Sequence, residues 1–165
     1  MKQKNIFSLI FSFLLCVAVP AQNMRLIDSL ENIAKNAPAD TSLIPVLFQL
    51  NIQYRSFKPD SALAKCQLAL AICEKFNFKK GLAKTYLSLS VLARYKGETP
   101  VALNYQLKAL AYFEEINDKP DIAKVYGNMG ITYWQQGDYN QALKFYTKAL
   151  EIDSQIGNKQ GISAG

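Results

Sequence analysis

From Leu26 to Ile156 apolar residues return every three or four positions, and no stretch alternates apolar with polar as a half-buried strand does. The pattern predicts helices throughout. A first piece, Gln22 to Lys35, carries Leu26, Ile27, Leu30, Ile33 and Ala34 on one stripe. It ends at Asn36-Ala37-Pro38, because a proline disfavours helix in the residue before it. Six helices follow in pairs: Thr41 to Ser56 with Asp60 to Phe76, Lys80 to Lys96 with Thr99 to Ile116, and Pro120 to Gln136 with Tyr139 to Ile156. Punctuation residues fall between them. Asp60 is expected to cap the helix it opens, Thr99-Pro100 suits a cap followed by the first helical residue, and Gly97 is placed to end a helix in the left-handed conformation.

The pairs repeat each other at a step of forty. Ala62, Ala102 and Ala142 share a column, as do Leu63, Leu103 and Leu143, then Ala69, Ala109 and Ala149, and the joint residues Lys79, Lys119 and Lys159. Such self-similarity marks a solenoid, in which a helical unit that cannot bury its apolar face alone stacks on its neighbours. The step exceeds the roughly 34 residues of the short helix-turn-helix repeats. A longer second helix and a looser turn are expected to absorb the surplus.

The first 21 residues stand apart. Lys2 and Lys4 precede an apolar run from Ile6 to Val19, and Val19-Pro20-Ala21 offers a cleavage site before Gln22, the order of a secretory signal peptide. An uncleaved anchor is the rival, but the run is short against the roughly 20 residues a membrane span needs. Lipid attachment at Cys16 fits less well, since Leu15 precedes it and the apolar run continues beyond. Losing two lysines lowers the formal charge by two from +6, and the remaining excess is spread along the chain without a block of like charge. Nucleic acid is a poor partner for such a chain; an acidic protein segment is a better one. Cys66 and Cys73 lie two turns apart on one helix, about 10 Å of rise, too far to bridge, and read as small core residues. Histidine is absent, which removes the commonest general base and metal ligand. No catalytic constellation, cofactor motif or metal-ligand cluster is found. Glu114, Glu115, Asp118 and Asp121 gather at a joint and read as solvated charge.

Tyr126-Gly127-Asn128-Met129-Gly130-Ile131-Thr132-Tyr133 resembles the first-helix signature of the tetratricopeptide repeat (TPR) family. Gly137-Asp138-Tyr139-Asn140-Gln141-Ala142-Leu143, with Tyr146 and Ala149-Leu150, resembles the second. The second repeat keeps Tyr86, Leu89, Ala102 and Ala109, with Ser90 at the small position. The first matches through Leu47, Leu50 and Tyr54 if one residue is deleted before Ala62. The resemblance implies an all-α, right-handed superhelical solenoid of stacked antiparallel helix pairs. Residues 22–37 then form a capping helix or half repeat, 41–79, 80–119 and 120–159 are repeats one to three, and 160–165 begin a fourth.

In this family the first helices line a concave groove. By that resemblance the outward groove residues are Gln49, Arg55, Lys84, Arg94, Lys124, Asn128, Trp134 and Gln135. Arg55 and Arg94 fall at matching positions, as do Lys84 and Lys124, a cation ladder that can receive an extended acidic peptide. The same residues also read as an ordinary solvated face with a tryptophan packed on the next repeat. The expected function is a protein-interaction module, not an enzyme. It is exported to the periplasm and resembles the sensory region of membrane-anchored bacterial signalling proteins. A free-standing periplasmic adaptor that scaffolds an envelope complex is the alternative, a non-catalytic fragment of an enzyme is a distant third, and dimerisation through an open last repeat is a further expectation.

Overall fold

A computed structural model describes residues 23–157. Every regular element among them is helical. Helix α1 covers residues 23–36. A 3-10 turn at Thr41–Leu43 leads into α2 (Ile44–Tyr54), followed by α3 (Pro59–Lys75), α4 (Lys79–Tyr95), α5 (Thr99–Glu115), α6 (Lys119–Gln135) and α7 (Tyr139–Gln155). Helices pair as α2–α3, α4–α5 and α6–α7, and the pairs stack through α3 on α4 and α5 on α6. The signal peptide expected over 1–21 and the fourth repeat expected from 160 lie outside the described residues.

Helices α3 to α7 are each 17 residues long, and three residues separate each from the next. The surplus over the short repeat is therefore shared by both helices. The expected longer second helix and looser turn do not occur, because each joint is closed by the same tight motif. Asn77, Gly97, Asn117 and Gly137 adopt φ of 48°, 75°, 52° and 81°, the left-handed region that glycine and asparagine tolerate best. The next residue's N–H then reaches back: Phe78 to Cys73 O, Glu98 to Ala93 O, Asp118 to Phe113 O and Asp138 to Tyr133 O, at 2.8–3.0 Å. This closure satisfies carbonyls that the helix end would leave orphaned. The same four residues cap the following helices, their carbonyls accepting from Leu82, Ala102, Ile122 and Ala142 N–H.

Two expected caps move for that reason. Glu98 is the N-cap of α5, and Thr99 is its first helical residue. Lys58 is the N-cap of α3, with Pro59 in the first position, where a missing N–H costs nothing, and Asp60 in the first turn. Helix α2 begins later than Thr41 because Asp40 caps the 3-10 turn through Ser42 N–H, with Pro45 placed in the first turn of α2. The α2–α3 turn alone among these lacks a left-handed residue, and closes instead by Lys58 N–H donating to Tyr54 O at 2.7 Å.

The repeat columns form the seam. Ala62, Ala102 and Ala142 are at most 3% exposed, and Ala69, Ala109 and Phe113 are fully buried. On the first helices, Leu43 matches Leu82, Leu50 matches Leu89, and Asn51 matches Ser90, all buried. These steps are 39, while the second helices keep forty, which is the single deletion before Ala62. The position held by Asn51 and Ser90 is Gly130 in the third repeat. A Cβ there would stand 2.6 Å from the Tyr146 ring. Asn51 turns its bulk to use, Nδ2 donating to Ala62 O at 3.1 Å and to Cys66 Sγ at 3.0 Å. Cys66 and Cys73 are buried and unbridged. Burial pushes the Cys66 thiol up to about 12 against the opposing hydrogen bond from Asn51.

Helix α1 closes the near end. Ile27 packs with Leu50, Tyr54, Leu89 and Leu92. Glu31 accepts from Tyr54 Oη and Lys65 Nζ, both at 2.9 Å. Burial opposes the charge on Glu31, but the hydrogen bonds from Lys65 and Tyr54 outweigh it and hold the carboxyl below its usual 4.5.

Gly130→Val should lower stability by about 1–3 kcal/mol through overpacking against Tyr146, whereas Gly127→Ala, with open space at its Cβ, should gain about 0.5–1 kcal/mol. Urea unfolding checks both. Because the folded pKa of Glu31 is depressed, its contribution is present above the unfolded pKa and lost as pH falls through the folded one. Glu31→Gln should therefore lower Tm at pH 7, and the difference from the unsubstituted protein should close below about pH 4.

Candidate interaction surface

Each first helix presents one stripe, spaced three or four residues apart, that the stacking leaves open. On α2 it runs through Pro45, Phe48, Gln49 and Ile52, on α4 through Lys84, Leu87, Val91, Arg94 and Tyr95, and on α6 through Lys124, Asn128, Ile131, Trp134 and Gln135. Helical spacing of i, i+3, i+4 and i+7 puts the members of each set on one face. Phe48, Leu87, Val91 and Ile131 are half-buried, while Ile52, Tyr95 and Trp134 are exposed. The surface is thus largely apolar with cations near the helix ends.

The expected groove residues fall into separate groups. Lys84 and Lys124 come together on one acid: Lys124 Nζ is 2.7 Å from Asp121 Oδ1, and Lys84 Nζ is 3.9 Å from Asp121 Oδ2. Arg94 and Gln135 come together across α4 and α6, Nη1 donating to Oε1 at 3.5 Å, with the guanidinium 5.9 Å from the Tyr95 ring centroid. Arg94 Nε is buried and makes no hydrogen bond among the described residues. Asn128 spends an amide N–H on Lys124 O at 2.8 Å, one turn back on its own helix. Gln49 is exposed on α2 and Arg55 follows its last residue, half-buried. Trp134 is 58% exposed, and the next repeat, on which the alternative reading packs it, lies outside the described residues.

Of the four joint carboxylates Glu114 and Glu115 are exposed, as expected of solvated charge, but Asp118 and Asp121 are not. Asp121 is 6% exposed and holds two lysines. Asp118 accepts from Lys80 at 2.8 Å and caps α6 through Asp121 N–H. Burial works against the Asp118 charge, yet the Lys80 hydrogen bond, the Asp121 N–H and the fields of Lys80 and Lys84 hold its carboxyl below the usual range. The cation ladder is therefore partly neutralised from within. Sequence reasoning also passed over Phe48, Ile52, Leu87, Val91, Tyr95 and Ile131. The signal was present: Ile52, Leu87 and Val91 each sit three residues from a cation already singled out, Phe48 and Ile131 sit seven from Arg55 and Lys124, and Tyr95 adjoins Arg94.

Among the described residues no cluster of His, Cys, Asp or Glu can hold a metal ion, and no helix is long and apolar enough to cross a membrane.

A family model described as tetratricopeptide repeat matches residues 82–155. No curated protein matches the chain. Among solved structures, BtubC (BKLC) from P. vanneervenii is 18% identical with a TM-score of 0.71, over 84% of this chain and 59% of that one. A Signal Transduction ATPase with Numerous Domains protein with a tetratricopeptide repeat sensor, from Pyrococcus horikoshii, is 19% identical with a TM-score of 0.72, over 90% of this chain and 23% of that one. MamA is 18% identical with a TM-score of 0.58, over 83% of this chain and 72% of that one. The chain thus spans less than two thirds of the first and under a quarter of the second, and the likeness at these identities is one of fold. Residues 82–155 belong to the tetratricopeptide repeat family, and with the helices before them they build a solenoid of the kind that serves as a protein-protein interaction module.

Proposed function

We propose that this chain is the exported, ligand-capturing part of a bacterial signalling protein, and that it holds an extended segment of a partner along its first helices. The observation that carries the reading is the open stripe recurring once per repeat on α2, α4 and α6. Covering Phe48, Ile52, Leu87, Val91 and Ile131 removes apolar surface from water, the main source of affinity, at about 25 cal/mol per Å². Tyr95 and Trp134 supply flat anchors with little conformational entropy to lose. Arg94, steadied by Gln135 and Tyr95, is the cation best prepared to take a carboxylate, because its planar fork is already oriented. Lys84 and Lys124, sharing Asp121, contribute mainly long-range attraction. The repeats themselves are a scaffold of typically non-catalytic kind. The sensory role is supported by the repeats of the Pyrococcus horikoshii protein, whose description calls them a sensor, and export by the order of residues 1–21.

Val91→Asp and Ile131→Asp together should reduce partner capture by about tenfold or more with unchanged far-ultraviolet circular dichroism. The readout is a photo-crosslinking residue at Tyr95 in living cells, and a crosslinked product that survives the double substitution rules the stripe out. Alkaline phosphatase fused after residue 40 should be active in bacteria, since that enzyme matures only outside the cytoplasm. An inactive, intact fusion would remove the export reading.

A further inference from the structure

The two seams between successive first helices are the same place in the repeat, yet they are filled by opposite chemistry. At the α4–α6 seam lies the ion cluster of Lys80, Lys84, Asp118, Asp121 and Lys124. One repeat earlier, at the α2–α4 seam, lies a pocket of about 260 Å³. In the repeat register the pocket's Phe78 stands for Asp118, Gly81 for Asp121, and Pro45 for Lys84. The acids that plug the later seam are thus an aromatic ring and a missing side chain here. Ile44 and Phe48 complete an apolar lining, and Lys80 and Lys84 stand at the rim. Their ammonium groups reach towards α6, leaving their alkyl stems to the pocket. Lys84 is only loosely engaged, 3.9 Å from an acid that Lys124 holds at 2.7 Å.

We infer that this pocket seats one bulky apolar side chain of the partner segment, and that an acidic residue next to it pairs with Lys84, supplying from outside the carboxylate that Asp121 supplies one repeat later. The volume lies below the roughly 300 Å³ at which pockets for whole small ligands begin, so it suits a single side chain. The inference rests on the proposed capture of a protein segment and adds to it a two-residue motif, apolar then acidic.

The test titrates the full chain with acetylated, amidated peptides of sequence Gly-Ser-Phe-Asp-Gly-Ser, followed by two-dimensional NMR. Chemical-shift changes should be confined to residues 41–48 and 78–84. Replacing the peptide's Phe by Ala should abolish them, and replacing its Asp by Asn should weaken binding about threefold or more, a loss that Lys84→Gln should reproduce. Gly81→Asp rebuilds the plugged seam but crowds Cys73 and Phe78. Pro45→Lys therefore serves as the second plug, at an exposed position, and should block binding with the fold intact. Absence of binding at millimolar peptide, equal binding of the Asp and Asn peptides, or indifference to Pro45→Lys would overturn the assignment. A cellular crosslink at Tyr95 that is lost in Val91→Asp with Ile131→Asp but kept in Pro45→Lys would sink the pocket while leaving the wider face standing.

Discussion

Everything in this solenoid depends on reversing a helix within three residues. A joint that short leaves no slack, so the direction of each helix is set by the one before it. The reversal requires one residue in left-handed conformation, with the following N–H returned to a carbonyl five positions back. The same following residue then opens the next helix. With stop and start fused, the pitch of the stack becomes a property of the backbone, and the side chains fill a geometry already fixed. Two glycines and two asparagines meet the requirement at the four joints. Where it is not met, between α2 and α3, the helix before the turn is shortest and the register of the first helices shifts by one.

This explains what could be read from the chain and what could not. The alanine columns and glycine positions announced stacked helix pairs, because close approach and left-handed φ leave few residue choices. The deletion before Ala62 was visible as well. The caps were misplaced at Asp60 and Thr99, since side-chain preference points at polar residues while the closure selects a position regardless of its side chain: Phe78 and Glu98 hold, with no side-chain bond, the place that Asp118 holds with one. The joint aspartates misled for a different reason. Aspartates in a turn are ordinarily hydrated, and only the stacking of α6 beside α4 brings Lys80 and Lys84 over them. That encounter is tertiary and leaves no local trace. The apolar members of the open stripe were hidden in plain view, because half-buried leucine, valine and isoleucine look like core until the neighbours that would cover them are known to be elsewhere.

Repetition also lets one architecture carry different chemistry at equivalent places. The small position opposite the second helix is Asn51, Ser90 and then Gly130, moving from a hydrogen-bonded amide to a bare backbone under a tyrosine ring. Cys66, Gln106 and Tyr146 share another column, and Gln106 uses it to bond the next repeat, Nε2 donating to Thr132 Oγ1 at 2.8 Å. Identical backbones thus separate the work of stacking from the work of recognition, and individual repeats can diverge without disturbing the pitch.

The buried thiols have a consequence for the order of events in the life of the chain. With the Cys66 thiol pushed up to about 12 and the neighbouring core closed over it, almost no thiolate exists at neutral pH once the helices have packed. An oxidising surrounding can therefore act on Cys66 only while the chain is still unpacked. Wherever the surrounding is oxidising, folding and oxidation compete for the same interval, and packing is what removes the sulfur from reach.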